Sequence, residues 1–332
     1  MREFTGGIKM IKFATIGSNF IVHQFLEAAK EVAGFEYVAA YSRTYEKAEE
    51  LAKQYGATKI YTDLQELALD QDIDAVYIAS PNSLHCEQSI LMMQHKKHVL
   101  CEKPIASNSR EFEEMARVAK ENNVILLEGM KSVHCPAYKV VKDNLKNLGM
   151  IRQVTFNYSQ YSSRYDKYKA GIIENTFNPE FSNGALMDIG VYTIHMLLAL
   201  FGVPKSIQST DVRLDNGVDG AGAILCKYED FLATLIYSKI SEYKGNQIQG
   251  EAGTMFIDQI SDIAKVHILY QDGRCEEFEI DKKVTMAYEI ETFVNAITVG
   301  TSVDLLETTK QQMIFLDEAR RQLGIVFPAD EK

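Results

Sequence analysis

Lys103 stands between a carboxylic acid and a proline, in the run His98-Val99-Leu100-Cys101-Glu102-Lys103-Pro104. A neutral amine can take a hydroxyl proton, and a charged one can polarise a carbonyl. Proline fixes its own φ and restricts the residue before it, so this lysine stem leaves from a stiff turn. Further on, Asp188 and Tyr192 are four residues apart. On a helix that spacing puts them on one face. The carboxylate can orient a hydroxyl or an amine. A phenol, with a reference pKa of about 10, needs a neighbouring cation to act as acid or base at neutral pH, and Lys103 is the candidate. Simpler readings stand beside these: Lys103 as a surface amine on a snorkelling stem, Asp188 as a helix cap beside Gly190, and Tyr192 as a half-buried core aromatic. His195, alone among Ile194, Met196, Leu197 and Leu198, reads as a satisfied core histidine.

These residues need a scaffold, and the chain supplies two kinds. Strand-like runs occupy 11–16, 36–41, 75–79, 98–101 and 124–127, with helical spacing over 20–32, 46–55, 83–94 and 110–122. Strand, helix, strand in regular order requires right-handed crossovers and a doubly wound parallel sheet with helices on both faces. The near-continuous apolar strands fit, because both faces are covered. After Asn147-Leu148-Gly149 the pattern changes. Runs at 153–161, 206–214, 221–227, 232–240, 254–258, 265–271 and 276–280 read as strands, divided by turns such as Asp215-Asn216-Gly217, with helices sparse until 286–299 and 308–323. The predicted class is α/β, with an antiparallel sheet in an α+β second part.

An open parallel sheet binds ligands beyond the carboxyl ends of its strands. Gly17, Ser18, Asn19, Phe20 and Ile21 lie there, where backbone N–H groups and a helix N-terminus can face a pyrophosphate. The run departs from G-x-G-x-x-G, with Asn19 in place of the second glycine and Val22 in place of the third. Asn tolerates positive φ better than most residues, so the tight turn is expected to survive; an ordinary strand-to-helix turn is the alternative. The second strand ends Tyr41-Ser42-Arg43, without the acid that accepts from a ribose 2′-hydroxyl in NAD sites. Ser42 and Arg43 suit a 2′-phosphate, with the guanidinium as a bidentate partner. NADP is therefore preferred to NAD, against the reading of Arg43 as a solvated helix-start residue.

Composition closes off other classes. With 46% hydrophobic and 24% charged residues the chain is neither disordered nor fibrous. A net charge of −11 without a Lys/Arg stripe argues against nucleic-acid binding. The five cysteines are scattered, and His95 and His98 have no Cys or carboxylate beside them to complete a metal set, so neither a disulfide framework nor a metal is expected. Residues 1–7 lack a signal-like apolar run, and the apolar stretch 196–203 is too short to span a bilayer. The expectation is a cytoplasmic protein without membrane contact.

The segments Ala79-Ser80-Pro81-Asn82-Ser83-Leu84-His85, Glu102-Lys103-Pro104 and Gly184-Ala185-Leu186-Met187-Asp188-Ile189-Gly190-Val191-Tyr192 resemble, in that order, the Pro-Asn-x-x-His, Glu-Lys-Pro and Asp-x-x-x-His/Tyr motifs of the Gfo/Idh/MocA oxidoreductases, and Ser42-Arg43 also occurs there. The resemblance runs from about Ile11 to the last helices. It implies a Rossmann domain over 1–130 and a substrate domain with a large open sheet over 131–332, joined as a homodimer or homotetramer through that sheet. It implies nicotinamide-dependent oxidation or reduction at a carbinol or carbonyl carbon of a sugar, polyol or cyclic diol. Ser80, Pro81, Asn82, His85 and Glu102 are then expected beside the nicotinamide end, with Lys103, Asp188 and Tyr192 at the reacting carbon. Many members have His where this chain has Tyr192; the Tyr form is similar to the dihydrodiol dehydrogenase and glucose-fructose oxidoreductase branches and leaves open which group moves the proton. A non-catalytic dinucleotide sensor and a glycosidase retaining NAD are the alternatives. Tyr158, Tyr161, Tyr165 and Tyr168, with Arg164, can stack on a sugar ring or cover the sheet, and Lys131, His134 and Pro136 can line the pocket or form a hinge.

Overall fold

A computed structural model describes residues 10–280, 283–300 and 306–331; the expectation about residues 1–7 lies outside them. Six strands, β1 (Ile11–Ile16), β2 (Phe35–Tyr41), β3 (Lys59–Tyr61), β4 (Ala75–Ile78), β5 (His98–Glu102) and β6 (Leu126–Gly129), form a parallel sheet in the order β3-β2-β1-β4-β5-β6. The strand order reverses between β1 and β4, and that switch point opens a ligand crevice at the carboxyl ends.

Helices α1 (Phe20–Ala29) and α2 (Tyr45–Tyr55) cover one face of this sheet. Helices α3 (Leu64–Leu69), α4 (His85–Gln94) and α5 (Ser109–Asn122) follow in the chain, with α4 and α5 packed together on the opposite face. The α1 face is built on aromatic pairs: Phe13 stacks on Phe35 at 3.9 Å and Phe25 on Tyr77 at 3.6 Å between ring centroids.

Short helices α6 (Lys131–His134) and α7 (Pro136–Asn144) lead into β7 (Ile151–Ser159). Then come α8 (Ser163–Lys169), a π-helical turn at Leu186–Gly190 and α9 (Val191–Phe201). Seven more strands follow: β8 (Ser206–Arg213), β9 (Asp219–Lys227), β10 (Leu232–Ser238), β11 (Asn246–Gly250), β12 (Gly253–Ile257), β13 (Val266–Tyr270) and β14 (Cys275–Phe278). They join β7 in one sheet of order β14-β13-β12-β11-β7-β10-β9-β8, antiparallel except where β7 meets β10.

Alternate residues of β10, Ala233, Leu235 and Tyr237, point into the core against α9, while Leu232, Thr234 and Ile236 face outward. α9 is apolar nearly all round because it lies between this sheet and α11 (Glu307–Leu323). The helical run Pro179–Phe201 is longer than the apolar stretch expected from sequence and meets the length and hydropathy of a membrane span, yet 78% of its apolar window is buried inside the protein. The last elements return to the first sheet. α10 (Met286–Val299) packs beside α1, where Phe293 meets Phe35 edge-on at 6.3 Å, and α11 packs on α5 and α9.

Candidate active site

The crevice begins at Gly17. Its φ is +117°, and a Cβ there would lie 2.8 Å from the Ala79 carbonyl oxygen, so only glycine allows the end of β1 to run this close to the end of β4. That bare backbone and the following helix N-terminus fit a dinucleotide pyrophosphate. Asn19 acts differently from expectation. Its φ is −87°, an ordinary extended value. It serves as the N-cap of α1, accepting at Oδ1 from the Ile21 and Val22 amides and donating from Nδ2 to the Ala79 carbonyl at 3.0 Å. The second glycine of the dinucleotide pattern is thus replaced by a cap that ties the loop to β4. Ser18 lies between them, and Phe20 and Ile21 open the helix, with Phe20 exposed and covered by the Arg164 guanidinium 5.5 Å from its ring centre. At the end of β2, Ser42 is buried while Arg43 points to solvent and makes no hydrogen bond or ion pair among the described residues.

Beyond β4, Ser80 donates its hydroxyl to Gln88 at 2.7 Å and Pro81 leads into a 3₁₀ turn. Asn82 donates to the Ser182 carbonyl at 3.0 Å, linking the two halves of the chain. His85 is tied to the backbone on both sides. It is fully buried, its ring nitrogens each 2.9 Å from a backbone oxygen, of Pro104 and of Ser80. Burial, outweighing those carbonyls, lowers its pKa to about 4. The ring thus links the turn after β4 to the turn at Pro104.

The catalytic candidates converge. Lys103 Nζ donates to the Asp188 carbonyl at 2.6 Å and to its carboxylate Oδ1 at 2.9 Å, and lies 5.1 Å from the centre of the Tyr192 ring. The π-helical turn, a feature often found at functional sites, holds Asp188 and Tyr192 toward the same amine. Gly184 and Asp219 position it: the Asp219 carboxylate accepts from the Leu186 amide at 2.6 Å and fills the space a Cβ on Gly184 would need. Tyr192 packs edge-on to Tyr158 at 5.4 Å, and its hydroxyl makes no hydrogen bond among the described residues. Glu102 is buried and accepts from the Tyr77 hydroxyl at 2.6 Å. Behind it, on α10, both oxygens of buried Glu289 lack a hydrogen-bond partner in the described structure, and burial holds that carboxyl well above the carboxylate range.

Two residues unmarked in the sequence complete the cluster. Lys239, just past β10 and 3% exposed, donates to the other Asp188 oxygen, Oδ2, and to the Thr176 hydroxyl. Thr176 also donates to Asp188 Oδ2 at 3.0 Å. A lysine closing an apolar strand was a readable signal for Lys239; Thr176 had none. Burial opposes the Asp188 charge, but the two ammonium groups overcome it and hold that carboxyl far below the usual carboxylate range. Lys103 holds its proton firmly. Burial does lower its pKa, but Asp188 and Glu102 outweigh it and leave the amine above its ordinary value. Burial likewise pushes the Tyr192 phenol well up, with Glu102 adding to the effect. The site at rest is an ammonium, a carboxylate and a neutral phenol. His195 is a core residue, its Nδ1 2.6 Å from Gln312 and 3.8 Å from buried Glu128.

Residues 11–130 match the Gfo/Idh/MocA oxidoreductase family with its NAD-binding Rossmann fold, and residues 143–256 match the C-terminal domain of the same family. The chain belongs to the Gfo/Idh/MocA family. Within it, the chain is 47% identical to scyllo-inositol 2-dehydrogenase (NADP(+)) IolU of Bacillus subtilis, over 97% of this chain and all of that one. It is 42% identical to the uncharacterized oxidoreductase YgjR of Escherichia coli, over 97% and 99% of the two chains. The crystal structure of KijD10, a 3-ketoreductase from Actinomadura kijaniata, superposes with a TM-score of 0.86 over 96% of this chain and 99% of that one; at 24% identity this is a likeness of fold. The two-sheet architecture is thus the Gfo/Idh/MocA fold, and Gly17 lies within the span that matches its NAD-binding Rossmann domain.

Proposed function

We propose that this protein is an NADP-preferring dehydrogenase of a ring polyol, moving a hydride between the nicotinamide and a secondary carbinol carbon of an inositol-like substrate. The observation that carries this reading is the Lys103 ammonium, fixed on Asp188 with its Nζ 5.1 Å from the centre of the Tyr192 ring. When bound, the dinucleotide supplies the hydride acceptor or donor at C4 of its nicotinamide. Gly17 to Ile21 would cradle its pyrophosphate and Arg43 its 2′-phosphate.

Lys103 exchanges the proton of the reacting oxygen: as an ammonium it donates to a carbonyl, and as an amine it accepts from a carbinol. Asp188 holds Lys103 in place. Tyr192, neutral across the working pH range, donates a hydrogen bond to the same oxygen or its neighbour. The sequence similarity to an NADP-dependent inositol dehydrogenase supports the substrate class.

The division of labour follows: residues 1–130 hold the dinucleotide and 131–332 the substrate. The outer sheet face carries Leu225, Leu232, Ile236, Phe256 and Leu269 without an interleaved charge on β10, which suits a homodimer or homotetramer formed through it. The five free cysteines suit a cytoplasmic location.

The test is reduction of NADP and NAD by scyllo-inositol, myo-inositol, aldohexoses and cyclic trans-diols, followed by nicotinamide fluorescence. Turnover confined to ring polyols with NADP is expected. Turnover of aldoses alone, or no turnover with cofactor retained through purification, would overturn the assignment.

A further inference from the structure

Asp188 is shared. Its Oδ1 and backbone carbonyl serve Lys103, and its Oδ2 serves Lys239 and Thr176. Lys103 comes from the turn after β5, and Lys239 from the end of β10 in the other sheet. The two amines therefore approach one carboxylate from opposite sides. Lys239 is the more deeply buried and lies with its Nζ 5.2 Å from the centre of the Phe177 ring.

We propose that Lys239 is a positioning residue that divides the Asp188 charge with Lys103 and so sets how readily the Lys103 amine releases its proton. This rests on the reading of Lys103 as the proton-exchanging group.

A buried carboxylate facing a single ammonium stabilises that cation fully. Facing two, it stabilises each less, and the cations also repel one another across it. The groups facing Lys103 are Asp188, Glu102, Tyr158 and Tyr192, with His85 and Glu128 further off; those facing Lys239 are Asp188, Lys103 and Arg164. All the acids acting on Lys103 raise its proton affinity, and Lys239 is the buried cation that opposes them. Without it, Lys103 would hold its proton more tightly and the carbinol-oxidising direction would need higher pH. Thr176 fixes the Lys239 ammonium and the Oδ2 atom against each other, so that Asp188 cannot turn both oxygens toward Lys103.

The direct measurement is the pH dependence of acetic anhydride labelling at Lys103 in the full-length protein, read by mass spectrometry, which needs no turnover. Lys239→Met is expected to move the labelling midpoint of Lys103 up by about one pH unit or more, the size of effect a charge at this range exerts. The rising limb of kcat for polyol oxidation moves with it. Lys239→Arg restores both midpoints. Thr176→Val, a milder change that keeps both lysines, shifts them in the same direction by less. A labelling midpoint unmoved in Lys239→Met and Thr176→Val, or moved down, overturns the proposal. If Lys103→Met keeps wild-type turnover, the assignment of Lys103 fails instead, and the labelling result separates the two failures.

Discussion

The Lys103 ammonium is bonded to Asp188 twice, to its main-chain carbonyl at 2.6 Å and to its carboxylate at 2.9 Å. The first bond ties the amine to the backbone of the π-helical turn, and the second to its charge. Substitution of the two partners should therefore act differently. Lys103→Met removes the proton carrier and should lower kcat by about 10²- to 10⁴-fold, with NADPH binding by fluorescence nearly unchanged. Asp188→Asn leaves the backbone bond in place, so the amine stays positioned but loses its counter-charge. Its loss in kcat should be smaller, and the pH–rate limb should move toward lower pH. A Lys103→Met enzyme turning over at the native rate would rule out this assignment.

Burial holds the Tyr192 phenol well above its ordinary range, which favours Lys103 as the group whose ionisation shapes activity. Tyr192→Phe should cut kcat by about tenfold to a hundredfold, through loss of a hydrogen bond to the reacting oxygen. The midpoint of the pH–rate profile should stay where it is. A displaced midpoint would make the phenol the titrating group.

Arg43 is exposed and unpaired among the described residues, beside the buried Ser42. A bidentate contact to a 2′-phosphate would be its first strong partner. Fluorescence titration should show NADPH bound more tightly than NADH. In Arg43→Ala that preference should shrink by about tenfold or more, as for loss of one charge-assisted contact, and the residual preference should weaken less with salt. Equal dissociation constants in the native protein would contradict this.

Gly17→Ala tests the crevice. The left-handed backbone and the 2.8 Å approach to the Ala79 carbonyl should make it cost about 1–3 kcal/mol in urea unfolding, with a larger loss in dinucleotide affinity than in stability. A substitution neutral in both measurements would mean that the loop is free to move away from β4.

Two buried histidines make stability fall on acidification. His85 and His195 are both brought down to about 4 by burial, against about 6.5 in an unfolded chain. Between those values each ring binds a proton more readily in the unfolded chain, so the histidine contribution to stability rises with pH and is lost as pH drops from about 6.5 toward 4, while Asp219 and Glu289, raised by burial, act in the opposite sense. Each histidine contributes up to about 3 kcal/mol. Asp188, depressed by its two lysines, adds a further loss below about pH 4. Urea unfolding at pH 7, 5.5 and 4 should show the histidine component as a difference: His195→Gln should lose less stability than the native protein between pH 7 and 4, and an identical pH dependence in the two would contradict it.

Much of this was legible along the chain. Val76, Tyr77 and Ile78 are apolar on both faces because helices cover both sides of β4, and such runs announce a parallel sheet without ambiguity. The candidates Lys103, Asp188 and Tyr192, which the fold brings together, leave local marks in a stiff turn and a four-residue spacing. Elements without apolar periodicity were missed. β11 is Asn-Gln-Ile-Gln-Gly with one hydrophobic side chain, α8 buries none of its residues, and β3 is three residues at a sheet edge. The proton affinity of Lys103 is not legible along the chain because it depends on Asp188, 85 positions away, which only the folded structure brings near. Asn19 was read through its backbone tolerance when its side chain was doing the capping.

The return of α10 to lie beside α1 has a consequence for biosynthesis. While the ribosome is still extending the second sheet, Phe13, Phe25 and Phe35 are already made, but Ile290 and Phe293, which close over that layer, are not. The nucleotide half emerges first and finishes last. A nascent chain shortened anywhere before residue 286 should present a sticky aromatic flank to chaperones, and a fragment cut at residue 130 would leave the same flank uncovered.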